Sequence, residues 1–182
     1  MLVLASASPR RKELISLISA DVKISPADVD ETITDDISAD YAPEYLAVKK
    51  ASFIANQFPE DTVIGCDTSV IIDGEILGKP VDDNDAVRML KLLSGKTHKV
   101  ITGCAIFKGG RSISFSETTY VTFLDLSDDD INEYLKTNEH KDKAGAYGIQ
   151  GYASLFISKI EGDYFNVVGL PVARLNRVLK KF

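Results

Sequence analysis

The sequence predicts an α/β fold: a mixed, partly antiparallel twisted sheet flanked by helices. Three observations point there. Short apolar runs of strand type alternate with stretches whose apolar residues recur at helical spacing. Two pairs of strand-like runs are joined by Asp73-Gly74 and Gly109-Gly110, both hairpin turns. Helices interspersed with strands and hairpins build a mixed sheet rather than a bundle or a sandwich.

The first strand is the apolar run Leu2 to Ala5, which breaks at Ser6-Ala7-Ser8. Pro9 follows at the first helical position, where its missing N–H costs nothing, and Ser8 is placed to cap the free amides. Leu14, Ile15 and Ile18 continue that helix as a 3.6-residue stripe. Arg10 and Arg11 fall in its first turn, where cations oppose the helix dipole. Such a turn is suited to an anion, with amides, the Ser6 and Ser8 hydroxyls and two guanidinium forks aimed at phosphate. The plainer alternative is a surface helix with solvated arginines.

Asp21 to Ser25 alternates as a short strand, and the polar segment Pro26 to Asp40 contains Val29-Asp30-Glu31. Pro43 opens a helix to about Gln57 with Leu46, Ala47, Ala51, Ile54 and Phe58 inward. Lys50 shares that inward face, so it either snorkels to solvent or reaches into a cleft. Thr62 to Gly65 is a strand leading through Cys66-Asp67-Thr68 to Val70-Ile71-Ile72 and the turn at Asp73-Gly74. Pairing Ile72 with Glu75 sets Thr68 opposite Lys79 and Asp67 opposite Pro80, at one end of the hairpin. A regular ladder sends those side chains to opposite faces, so joint action requires a twist or break at Gly78 or Pro80.

Asp82 starts a third helix with Ala86, Met89, Leu90 and Leu93 inward and Gly95 at its end. Thr97 to Lys108 and Arg111 to Leu124 form the longer hairpin. Ser127 caps a helix to about Thr137, Asp142 to Gly151 is a glycine-rich loop, and Ala153 to Ile160 reads as a strand. The turn at Val167 to Pro171 leads into a closing helix with Val172, Leu175 and Leu179 inward.

The 182 residues fit one generous domain, or two lobes sharing a core. A hydrophobic fraction of 45% with 26% charged residues is enough to bury a real core. The net charge of −6 argues against general nucleic-acid binding, so any anion site is a local basic pocket. Cys66 and Cys104 sit in apolar runs and are expected as buried reduced thiols rather than a disulfide. The opening apolar run is too short for a signal peptide and no later run could span a membrane, which makes the cytoplasm the expected location.

Ser94-Gly95-Lys96-Thr97 imitates the tail of a phosphate-binding loop, but Leu90 stands where that motif needs glycine and a helix, not a strand, precedes it. His98 and His140 have no companions at zinc spacing, and no G-x-S-x-G elbow exists. What remains are acids, cations and glycines near strand ends. Glu31 and Asp67 are candidate ligands for Mg²⁺, which takes a few carboxylates plus water and phosphate oxygens. Arg10, Arg11, Lys50 and Lys79 could clamp a polyphosphate, each having a solvated charge as its plain alternative.

With Ser6-Ala7-Ser8-Pro9-Arg10-Arg11, Val29-Asp30-Glu31, Lys50-Ala51, Gly65-Cys66-Asp67-Thr68, Gly78-Lys79-Pro80, Ser94-Gly95, His98, Thr102-Gly103, Asp142 to Gly151 and Val168-Gly169-Leu170-Pro171 in that order, the chain resembles the Maf-like nucleoside triphosphate pyrophosphatases. The resemblance covers nearly the whole chain and implies a single domain, 1–182, with two lobes around a deep cleft like that of inosine triphosphatases. It implies cleavage of nucleoside triphosphates to monophosphate and pyrophosphate with a divalent cation, Mg²⁺ first and Mn²⁺ second. Asp142 to Gly151 is similar to the branch acting on dTTP and UTP; the branch acting on methylated GTP usually has an extra aromatic residue in the N-terminal motif, where this chain has Pro9 followed directly by Arg10.

By the same resemblance Asp67 is the proton acceptor, and Arg10, Thr68 and Gln150 stand at positions tied to choice of base. Arg11, Lys50 and Lys79 are the cations around the phosphates, and Glu31 is the second acid. A buried Gln150 amide would present both a donor and an acceptor to a pyrimidine edge. Cys66 departs from the more usual alanine, a difference packing is expected to absorb. The implied partner is the nucleotide alone, without nucleic acid or membrane, and the family allows a homodimer. The rival expectations are a house-cleaning pyrophosphatase for methylated GTP or for inosine or xanthosine triphosphate, and a nucleotide-binding regulator of septum formation.

Overall fold

The structure is a computed structural model describing residues 1–182. The strands are β1 (Leu2–Leu4), β2 (Val22–Ile24), β3 (Thr62–Ile72), β4 (Glu75–Leu77), β5 (Thr97–Lys108), β6 (Arg111–Phe123) and β7 (Ile157–Glu161). The helices are α1 (Pro9–Ile15), α2 (Ala42–Ala55), α3 (Asp83–Leu93), α4 (Asp128–Lys136), α5 (Tyr164–Val168) and α6 (Val172–Leu179). The sheet order is β2-β1-β3-β5-β6-β7, with β4 paired to β3. Pairing of β1 with β2 and β3 is parallel, while β3 with β4 and β6 with β7 are antiparallel, so the sheet is mixed as the sequence predicts.

The chain divides into two compact units, one of residues 1–68, 102–117 and 169–182, the other of residues 69–101 and 118–168. In the first unit, Ala47, Ala51 and Ile54 of α2 pack on Val3, Val63 and Ala105 of the strands and on Ala5 just after β1. Small residues let that helix come unusually close. A Cβ built on Gly65 would lie 2.3 Å from the Ala47 carbonyl oxygen, and one on Gly103 would lie 2.3 Å from the Pro43 carbonyl. Neither strand position could carry alanine without moving α2. Helix α1 ends at Ile15, one turn before the expected Ile18, with residues 16–18 in a turn.

In the second unit, α3 is capped by Asp82, whose carboxylate accepts from the Asp85 amide, and turns its buried face of Ala86, Met89, Leu90 and Leu93 into a core shared with Val70, Leu77, Phe123 and Tyr134. Ser127 and Asp130 form the reciprocal capping box of α4. The β3–β4 register is Ile72 with Glu75 and Val70 with Leu77, and Asp73 and Gly74 have the positive φ values, 51° and 83°, of a tight hairpin. The ladder stops at Leu77, so the register extrapolated to Lys79 and Pro80 is broken where Gly78 allowed it. Instead, the Gly78 carbonyl accepts from the Gly145 amide at 3.0 Å, docking the glycine-rich loop.

Two expectations need correction. Residues 152–156 are a 3₁₀ turn rather than the start of a strand, because Ala153 and Phe156 are buried while Ser154 and Leu155 are exposed, a period of three. The strand begins only at Ile157. A short helix, α5, also precedes Gly169 where a turn was expected.

His98 shapes the pH response of this second core. It is 2% exposed, its Nε2 lies 2.7 Å from the Tyr147 hydroxyl, and its Nδ1 is buried without a partner. Burial lowers its pKa from the ordinary 6.5 to about 4. Between those values the unfolded chain binds a proton that the folded chain refuses, so stability is full above pH 6.5 and falls as pH drops toward 4. The His98 contribution lost is about 3 kcal/mol. Thermal melts from pH 7.5 to 4.5 are expected to show a steeper decline for the natural chain than for His98→Phe; parallel declines would remove His98 as the cause.

Candidate active site

Three charged side chains of the first unit meet at one point. Lys50, on the inward face of α2, places Nζ 2.7 Å from Asp67 Oδ1 of β3 and 3.0 Å from Glu31 Oε1. The Lys50 and Asp67 side chains are only 11% and 13% exposed, whereas Glu31 is 53% exposed. Lys50 therefore reaches inward rather than snorkelling. A buried lysine and carboxylate hold each other because either alone would carry an uncompensated desolvation cost. Gly65 lies two residues before Asp67, and Ala47 and Ala51 flank Lys50, so the close seat of α2 on β3 sets this ion pair.

The opening strand–helix junction supplies a second cluster. The Ser8 hydroxyl caps α1 by accepting from the Arg11 amide at 3.4 Å, and the Ser6 hydroxyl accepts from the Ser8 amide at 3.3 Å. The Arg11 guanidinium is committed within the unit: Nε donates to the Gly169 carbonyl at 2.9 Å, Nη1 to Ser6 Oγ at 3.2 Å, and Nη2 to Thr68 Oγ1 at 2.9 Å. Arg11 thus braces three chain segments in this structure, a role the sequence reading did not give it. Arg10 is different. It is half-buried without an acidic partner, and its pKa is lowered, first by burial and then by Arg11. An unpaired, partly desolvated guanidinium is the feature an incoming phosphate would satisfy.

Lys79 and Gln150 belong to the second unit, and both are exposed. Lys79 follows the end of β4 and makes no ion pair, leaving its ammonium unneutralised. Gln150 is on the surface rather than buried as expected, because Ile149 takes the inward place in that turn. The histidines serve structure: His140 Nε2 is 2.9 Å from Asp83 Oδ1, and His98 pairs with Tyr147. Cys66 and Cys104 are buried free thiols with their sulfurs 3.7 Å apart, and the Cys104 thiol is pushed up by its hydrogen bond to Cys66 and by burial. Thr102, quoted in the sequence only as part of Thr102-Gly103, proves to be fully buried with its hydroxyl 2.9 Å from Thr68 Oγ1. A polar residue inside an apolar strand was the one signal that could have marked it.

No group of three His, Cys, Asp or Glu side chains lies close enough to hold an ion by protein alone. Glu31 and Asp67 each bring one oxygen within 3.0 Å of Lys50 Nζ, so two carboxylates stand at one place, as many as a hard divalent cation takes from protein when phosphate and water complete its shell.

The sequence matches the profile of the family described as Maf-like protein over residues 1–182. A relative from Bacillus velezensis named dTTP/UTP pyrophosphatase is 48% identical over 181 residues, covering 100% of this chain and 96% of the relative. One of the same name from Pyrococcus abyssi is 47% identical over 180 residues, covering 99% and 95%. Among solved structures, a HAM1 protein from Coxiella burnetii aligns over 100% of this chain and 98% of its own with a TM-score of 0.59 at 15% identity. The Ham1 protein of Staphylococcus aureus aligns over 68% and 72% with a TM-score of 0.52 at 18% identity. At such identities these two structures speak for the fold alone.

Proposed function

This chain belongs to the Maf-like protein family, and on that premise we propose that it hydrolyses dTTP and UTP to the monophosphate and pyrophosphate. The observation that carries the reading is full-length similarity, near 48%, to relatives bearing that activity in their name. The site chemistry supports it. Water attacks the α-phosphorus while Asp67 takes its proton, and the α–β bridging oxygen leaves with pyrophosphate. Lys50 aligns the Asp67 carboxylate through a charge-assisted bond and is close enough to exchange Glu31 for a phosphate oxygen. Arg10, lacking an anionic partner, receives phosphate charge, and Lys79 supports the leaving group with its unpaired ammonium. The Ser6 and Ser8 hydroxyls retain protons for phosphate oxygens, while Thr68 and Gln150 address the base.

Glu31 and Asp67 would hold the divalent cation, which supplies charge neutralisation on the phosphates and a more acidic water when bound. The catalytic domain is the whole chain, 1–182, acting in the cytoplasm on a free nucleotide. No helix is long and apolar enough to cross a membrane.

Pyrophosphate release with Mg²⁺, measured across dTTP, UTP, CTP, GTP, methylated GTP and ITP, tests this directly. Release from dTTP and UTP, abolished by chelation and restored by Mg²⁺, is the expected result. Preference for ITP or methylated GTP would keep the chemistry and overturn the base assignment. Nucleotide binding without any release would leave a regulator.

A further inference from the structure

Cys66 of β3 and Cys104 of β5 are the only cysteines in the chain. Both are buried in the first unit with their sulfurs 3.7 Å apart. Their strands are neighbours in the sheet, and Thr68 and Thr102, two residues on along β3 and two back along β5, are also in contact. Those two contacts set Cys66 opposite Cys104, with both side chains on one face, as strand alternation requires. Opposite residues of neighbouring strands stand about 4.5–5.5 Å apart at Cα, a separation a disulfide can span. Thr68, on the same face, is half-buried, so solvent comes within one side chain of the pair. In a reducing compartment two such thiols stay free, and a bond formed there is usually transient and redox-sensing.

We propose that Cys66 and Cys104 form a reversible redox switch beside Asp67, closed by hydrogen peroxide. One sulfur attacks a peroxide oxygen, the O–O bond breaks, and a sulfenic acid forms as one water leaves. The second sulfur attacks the sulfenic sulfur; its proton and the displaced hydroxyl leave as a second water, and the S–S bond is made. The two thiols lose two electrons and two protons, and one peroxide becomes two waters. A dithiol reductant reverses the change by exchange and is itself oxidised to a disulfide.

Closing the bond brings the sulfurs from 3.7 Å to about 2.0 Å. On its other face β3 has no slack. A Cβ on Gly65 would lie 2.3 Å from the Ala47 carbonyl oxygen of α2, and Asp67 is held 2.7 Å from Lys50 Nζ. Cys66 sits between Gly65 and Asp67, so a pull toward β5 draws the Asp67 carboxylate off Lys50. Misplacing a reacting group by about 1 Å costs about 10²-fold in turnover. That effect rests on the pyrophosphatase reading above; the cross-link does not.

The natural chain is treated with hydrogen peroxide, quenched with catalase, and assayed for free thiols after unfolding, for cross-linked peptides and for dTTP turnover with Mg²⁺. Expected are loss of both thiols together, a peptide pair joined through Cys66 and Cys104, a fall in kcat of about 10²-fold, and recovery of thiols and kcat on dithiothreitol. Cys104→Ala should keep natural turnover and show no loss that dithiothreitol reverses. If that chain does not fold, Cys66→Ala carries the same expectation. Thiols that persist after the exposed Met1 has been oxidised overturn the proposal. So does a bond between two chains, oxidation of one sulfur alone, or an internal disulfide that leaves kcat unchanged. A natural chain that releases pyrophosphate from no nucleotide refutes the pyrophosphatase reading and with it the switch, while the thiol count still decides the cross-link.

Discussion

Asp67→Asn is expected to lower kcat for dTTP by roughly 10³-fold, within the range general-base removal costs, while nucleotide affinity changes little. The asparagine oxygen can still accept from Lys50 Nζ, now 2.7 Å away, so the substitution removes basicity and charge while keeping the shape of the contact. Single-turnover rates and equilibrium nucleotide binding, measured on the same preparation, separate the outcomes. Lost turnover with retained binding identifies Asp67 as the proton acceptor. Parallel loss of both would assign it to holding the fold or to a purely metal-holding role, and retained turnover would move the base elsewhere. The effect is large because no other carboxylate is both as buried and as firmly oriented: Glu31 reaches the same lysine but is 53% exposed.

Gly65→Ala is the second large effect, and it links packing to chemistry. Its new Cβ would stand 2.3 Å from the Ala47 carbonyl oxygen, 2.7 Å from the Ala51 amide nitrogen and 2.8 Å from the Ala51 Cβ. Two of those are backbone atoms of α2, which cannot rotate away, so the helix must shift. Overpacking of this kind costs about 3 kcal/mol. The same shift separates Lys50 from Asp67, so turnover should fall well below what the lost stability explains at a temperature where the variant is still folded. Gly78→Ala, where an added Cβ meets nothing within 4 Å, is the stability control and should melt close to the natural chain. A Gly65→Ala chain with natural melting and turnover would show that α2 does not set the site.

Much of this architecture was readable from local chemistry. Asp73-Gly74 predicted the hairpin and its register because positive φ at both turn residues admits few alternatives. Ser8-Pro9, Asp82 and Ser127 each marked a helix start through a hydroxyl or carboxylate that pairs with a first-turn amide. Helical spacing put Lys50 on the inward face of α2, and only the contact with Asp67 decided that it reaches inward rather than snorkelling. The 3₁₀ turn at 152–156 was missed because Tyr152 to Phe156 is aromatic and apolar, a composition that suits a strand as well as a tight turn. Gln150 was misjudged because burial in a loop depends on which neighbour, here Ile149, wins the inward place.

The sequence by itself determined the class of fold, the ends of its main elements and the residue types available for phosphate chemistry, since these rest on spacing and capping over a few positions. Only the tertiary structure decided their partners. It gave Lys50 to both Glu31 and Asp67, spent Arg11 on Ser6, Thr68 and Gly169, and set Thr102 behind Thr68. Arg11 and Gly169 are 158 positions apart and Thr68 and Thr102 are 34 apart. Contacts over such separations are fixed by how β1, β3, β5 and α2 stack, through glycines whose missing side chains are felt only when another segment arrives.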